Sequence, residues 1–218
     1  MRVLFVSLIA VTGCASSRTA TTKAPASATS YPAKLYAGLF VKGARHTYTA
    51  ESKRSHWDDQ DPRADPHGNV EETFAGSISC TVTEVRELPS AIASRIECDD
   101  PSGVLIVGDA PAGIYVATAD GLWSVPEMPR VAPTSTKYRL FAWPPVAADI
   151  QEPDPKNPGW GTTTTISQNG ALWCRYFTFI AGDDGDEQIC VGDGIVVSGS
   201  ASSAGGSSYE MSYSLAKT

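Results

Sequence analysis

Two pairs of cysteines constrain the fold of this chain more than any other feature, because each pair flanks a turn signal between two runs of alternating residues. Cys80 lies in Gly76-Ser77-Ile78-Ser79-Cys80-Thr81-Val82-Thr83-Glu84-Val85-Arg86, the chain turns near Leu88-Pro89-Ser90, and Cys98 closes the return run that begins at Ile92. With the turn centred on Pro89, each cysteine stands nine residues from the centre and the two face each other across a hairpin. Cys174 and Cys190 repeat the arrangement around Gly182-Asp183-Asp184-Gly185. Their symmetric centre is Gly182, slightly before that turn, so a bulge or a loose loop has to absorb the offset. The local pairings Cys80 with Cys98 and Cys174 with Cys190 are therefore expected over the two crossed ones. Each would close a loop for which chain entropy gives about 3 kcal/mol. No Cys-x-x-Cys occurs and no histidine is near a cysteine in sequence, so the four are read as structural and not as a zinc or redox site. Bridges of this kind need an oxidising compartment.

The rest of the chain reads as further short strands. His46, Tyr48 and Ala50 alternate with Thr47, Thr49 and Glu51; Val104 to Val107, 113–118, 122–125 around Asp120-Gly121, 138–143, 162–166, 194–199 and 209–215 are rich in β-branched and aromatic residues. About ten strands with regular turn signals predict an all-β, mainly antiparallel domain. A meander curling into a partly open barrel is the expected architecture, with a β-sandwich as the alternative. One short helix is expected near the start of the domain, where Leu35, Tyr36, Leu39 and Phe40 recur at helical spacing after Pro32. The polar stretches 55–69 and 151–161, broken by prolines, and the small-residue stretch 200–208 read as loops.

Catalytic signatures are missing from the sequence: it has no Gly-x-Ser-x-Gly elbow, no His-Glu-x-x-His and no phosphate-binding glycine loop. His56 and His67 share the 55–69 stretch with Asp58, Asp59, Asp61 and Asp65, which raises a metal site, but an EF-hand register fails at Arg63 and Ala64. The carboxylate pairs Asp99-Asp100, Asp183-Asp184 and Asp186-Glu187 lie beside expected turns and read as solvated turn residues. No catalytic residue, metal ligand or cofactor is therefore expected. An enzyme remains an alternative only through residues converging from distant strands.

The chain opens with one arginine, an apolar run from Val3 to Val11, and then Thr12-Gly13-Cys14. This is the layout of an export signal, too short to span a bilayer as a helix. An ordinary cleaved signal would leave Cys14 incidental. The ending Val11-Thr12-Gly13-Cys14 resembles the lipobox of bacterial lipoproteins, which implies cleavage before Cys14 and acylation of that cysteine. The five cysteines fit this reading, because a lipidated Cys14 leaves an even four. Two or more acyl chains anchor stably where one holds marginally. The expected organisation is a signal peptide over 1–13, a lipidated Cys14 and flexible Ala/Ser/Thr linker over 14–31, and one β-rich domain over 32–218. With Ala15 and not Asp after Cys14, the lipoprotein resemblance tilts the address toward the outer membrane of the cell envelope.

Removing the signal changes 17 basic and 24 acidic side chains to 16 and 24, a net charge of -8. That sign argues against a nucleic-acid partner. The run Cys190-Val191-Gly192-Asp193-Gly194-Ile195-Val196-Val197, mainly Gly and Val, looks like a late strand pair of half-barrel carriers of lipids and lipoproteins. The resemblance implies a concave apolar face able to hold an acyl chain or to close over a partner. Sequence alone thus predicts a membrane-anchored protein with a non-catalytic binding or scaffold role. The alternative is a carrier of a lipid or other hydrophobic ligand, which would place Trp123, Phe141, Trp143, Phe177 and Phe179 around a cavity. For aromatics so spaced a filled core is the more usual outcome.

Overall fold

A computed structural model of the chain describes residues 36–105, 111–180, 184–204 and 207–216. Cys14, the signal segment and the linker lie outside the described residues. The strands are β1 (Arg45–Trp57), β2 (Asn69–Leu88), β3 (Ala91–Asp99), β4 (Gly113–Thr118), β5 (Gly121–Val125), β6 (Arg139–Ala142), β7 (Ala148–Pro153), β8 (Gly161–Asn169), β9 (Leu172–Ile180), β10 (Gly185–Gly192), β11 (Ile195–Ser203) and β12 (Ser207–Leu215). They form one twelve-stranded antiparallel sheet in the order β6-β5-β4-β3-β2-β1-β12-β11-β10-β9-β8-β7. The fold is thus an all-β meander in a single sheet, which excludes the sandwich.

This order requires the sheet to curl. Its edges, β6 and β7, are joined by only the five residues 143–147, which reach about 22 Å when extended. Laid flat, eleven strand spacings would separate those edges by about 53 Å. Contacts across the interior agree. Tyr115 of β4 and Ile189 of β10 belong to one buried cluster, although β10 lies six strand positions away in the sheet. The two edges are not hydrogen-bonded to each other, so the curled sheet stays open along one seam.

Alternation along the strands separates the two faces. On β1, Tyr48, Ala50 and Ser52 are buried while Thr49, Glu51 and Lys53 are exposed. The concave face carries the main core, including Tyr48, Ile78, Val82, Tyr115, Leu122, Phe141, Ile189 and Met211. It is filled further by two segments that cross it. At one end, a 3₁₀ turn over Ala37–Phe40 buries Leu39 and packs against β2, β3 and β11, with the Leu39 amide donating to Gly194 O at 3.2 Å. At the other, residues 100–105 fold inward with Val104 fully buried. The Arg54 guanidinium holds this segment by donating to Gly103 O at 2.6 Å and to Val104 O and Leu105 O at 3.3 Å, while lying 4.6 Å from the Phe74 ring centre. A satellite cluster of Leu88, Ala91, Ala93, Val116 and Trp123 sits under Met128 and Ala132 of the segment after β5.

Several sequence expectations need correction. The short helix near the start of the domain is, where described, the single 3₁₀ turn, and Val41 beyond it is extended. Val104 is not in a strand: its side chain fills the core from a turn-rich segment, and Ile106 and Val107 lie outside the described residues. The 151–161 stretch is not all connection, since Gln151, Glu152 and Pro153 belong to β7. The stretch 200–208 is mostly strand, because its serines face solvent or hydrogen-bond partners and need no apolar side chains to stay paired. Ser55, His56 and Trp57 continue β1, and Asn69 begins β2, so the loop is only 58–68.

Candidate functional site

Both expected disulfides are present. Cys80 and Cys98 are paired across β2 and β3 with an S–S distance of 2.01 Å, and Cys174 and Cys190 across β9 and β10 at 2.08 Å. In each case the two cysteines are direct register partners. The first hairpin carries a register offset where none was expected. The first hairpin turns on the two residues Pro89 and Ser90, and a bulge between Val82 and Glu84 restores the alignment of Cys80 with Cys98. The second keeps an unbroken register from Cys174 to Phe179, with no bulge between them. The Cys80–Cys98 bridge faces the core, where Cys80 is buried beside Ile78 and Val82.

The acidic candidates are dispersed. His56 pairs with Val70 and Ser207 within the sheet, whereas His67 lies in the 58–68 loop. Asp61 binds Arg63, which also reaches Glu72 at 2.8 Å, and this guanidinium holds the Asp61 carboxyl down at about 2. Asp65 accepts from the His67 and Asn69 amides, and those bonds lower its pKa. Among the described residues no group of three or more metal-binding side chains converges. Asp183 lies outside them. Asp186 and Glu187 are not turn residues but part of β10. The Asp186 carboxylate accepts from Ser202 Oγ at 2.7 Å on the convex side. Glu187 faces the concave side, 3.6 Å from Arg175.

Arg175 is buried, and its guanidinium lies 4.7 Å from the Phe177 ring centre. Burial lowers its pKa and Glu187 partly opposes that shift. Burial lowers the pKa of His46, and the neighbouring Gly38 backbone acts against that shift.

The five aromatics proposed for a cavity wall do not share one. Phe141 is in the main core and Trp123 in the satellite cluster, with its Nε1 donating to Ser135 O at 3.0 Å. Trp143 is exposed on the connection between the edges, edge-on to Tyr36 with ring centres 6.3 Å apart. Phe177 and Phe179 are half-buried on the concave face of β9, near the seam.

The seam is where apolar surface is left open. Tyr138, Trp143, Val146, Ile150 and Trp160 are exposed on or beside β6, β7 and their connections. At the end of β7 remote from Trp143, Glu152, Asp154, Trp160, Gly161, Thr162, Phe179 and Ile180 line a shallow depression of about 330 Å³. The sequence reading missed β7 because prolines at 144, 145 and 153 and the polar Asp149, Gln151 and Glu152 resemble loop composition. Yet prolines at the ends of a strand and charges along it are also how an unpaired edge is shielded. No protein family matches the chain, and no curated protein matches it either.

Proposed function

We propose that this protein is a lipid-anchored component of the bacterial cell envelope, distinguished not by chemistry of its own but by what its β domain binds or holds in place. Cys14 carries the acyl anchor, the 15–31 linker separates domain from lipid, and the outer membrane is its address. The observation that carries the non-catalytic reading is the occupancy of the concave face. The protein's own Tyr48, Tyr115, Phe141 and Leu39 fill it, while apolar side chains are left open only along the seam and in scattered surface positions. Such a domain offers its surface to a partner. The fate of the cysteines supports export and lipidation, because the four that pair leave Cys14 as the single one over.

A second reading is favoured by Phe177 and Phe179, which are half-buried beside the seam and give a hydrophobic ligand apolar surface to contact. Expression of the full chain in a bacterial host tests both readings. The wild type is expected in the membrane fraction with the mass of residues 14–218 plus acyl groups, and Cys14→Ser is expected as an uncleaved or soluble product. A Cys14→Ser protein that stays in the membrane with the wild-type mass would reject the anchor. Co-purification of one stoichiometric lipid with the soluble protein would replace the scaffold by the carrier.

A further inference from the structure

We infer that the free edge of β7 is an acceptor site for an extended segment of a partner protein, a strand that alternates apolar and basic residues. This inference rests on the reading of the domain as a binding module and names the chemistry of what it binds.

Three observations lead to it. First, alternate N–H and C=O groups of β7 point away from β8 with no strand to receive them, because β7 is the last strand of the sheet. Pro144 and Pro145 before the strand and Pro153 at its end lack N–H donors, so the usable window is the five residues 148–152. Second, the register places Ile150 on the same side of the sheet as Thr164 and Phe177, where concave apolar surface is only partly covered. A strand laid along β7 would bring every other side chain over that surface. Third, Asp149 lies within the window on the face opposite Ile150, where Thr165 Oγ1 donates to its carboxylate at 3.1 Å and no cation among the described residues is paired with it. Basic side chains on that face of the added strand would complement Asp149, while the alternate apolar ones lie over Ile150.

The same observations exclude other occupants. An acyl chain in the seam would desolvate the free edge groups without hydrogen-bonding them, which is costly for each buried donor or acceptor. A second copy pairing through β7 would bring only Ala148, Asp149, Ile150, Gln151 and Glu152 to the edge and so supplies no cation for Asp149. A basic extended polypeptide satisfies both the backbone and the Asp149 carboxylate, in the mode of β-strand addition.

The probe is a synthetic peptide, acetyl-Lys-Val-Lys-Val-Lys-Val-Lys-amide, added to the full-length protein and followed by hydrogen exchange and tryptophan fluorescence. Saturable binding is expected, with exchange slowed about tenfold or more in 148–152. The same peptide N-methylated at alternate residues should lose at least about tenfold in affinity, because its donors on one edge are gone. Asp149→Lys, on the face opposite Ile150, should shift the preference toward the corresponding Glu/Val peptide. Equal binding of the N-methylated peptide, or protection outside β7 only, would overturn the site. So would protection of β7 by phosphatidylglycerol vesicles without peptide, or by self-association. Lipidation and fractionation are measured separately, so a failure at β7 with an intact anchor removes this inference and leaves the anchored binding module standing.

Discussion

Removing the core-facing disulfide should destabilise the domain by an amount that its loop length sets. Cys80 and Cys98 are 18 residues apart in sequence, and the loop-closure relation gives about 3 kcal/mol for a loop of that size. The Cys174–Cys190 bridge, with a separation of 16, gives nearly the same value, about 3 kcal/mol. The bridges lie on β2–β3 and β9–β10, well apart in the sheet order, so their contributions should add. Together they amount to about 6 kcal/mol, a large share of the 5–15 kcal/mol typical of a domain. For Cys80→Ala with Cys98→Ala the melting temperature should fall by about 6–12 °C. The drop should be somewhat greater than for the Cys174→Ala, Cys190→Ala pair, because Cys80 is 1% exposed and its replacement leaves a void among Ile78 and Val82. Thermal and urea unfolding of the two double variants and of all four substitutions together measure this. A fall of less than about 2 °C for either pair would refute the reasoning, as would recovery of a Cys80–Cys174 or Cys98–Cys190 peptide from the wild type on non-reducing mapping.

Three further outcomes follow from the packing. Gly121 has φ +157° and a side chain there would run into the Phe141 carbonyl, so Gly121→Ala should cost about 2–3 kcal/mol in urea unfolding; Gly43, at φ +83° with open space around it, should cost only about 1 kcal/mol when changed to Ala. Arg54→Met should release 100–105 from the concave face and cost about 2 kcal/mol, seen as faster hydrogen exchange in that segment, whereas unchanged exchange would show that the guanidinium does not hold it. His46 has its folded pKa lowered, so folding favours the neutral ring. Its contribution is fully present above the unfolded value of about 6.5 and is lost as pH falls through the lowered folded value. The fall in melting temperature between pH 7.5 and 5 should therefore be smaller in His46→Gln than in the wild type.

Period-two patterning exposed the strands that bury one face, such as β1 around Tyr48 and Ala50 and β2 around Ile78 and Val82, and the turn residues between them gave the hairpins. The cysteine positions then fixed which runs pair. Three features were not legible. β7 carries prolines at its margins and polar residues along an exposed edge, so its pairing with β8 depends on backbone bonds that leave no apolar period. The ends of β11 and β12 are serine-rich for the same reason: Ser55 and Ser208 meet through their hydroxyls at 2.6 Å and need no burial. Val104 looked like strand because a buried valine and a strand valine have the same composition signal, whereas the segment is turned by Asp100, which accepts from the Leu105 amide at 2.6 Å, and is tied down by the distant Arg54. The seam itself is a property of strand order. It arises because β1 pairs with β12, which makes edges of two strands adjacent in sequence, and no local pattern encodes that.

The central claim is that a lipid-anchored, disulfide-clamped β domain with a filled interior works by binding. Native mass spectrometry of the mature protein released from its own membrane tests it most directly. The account predicts a mass equal to residues 14–218 with two disulfides and covalently attached acyl groups, and no additional lipid held within the folded domain. An unacylated mass, or a stoichiometric lipid that leaves only when the domain unfolds, would contradict it.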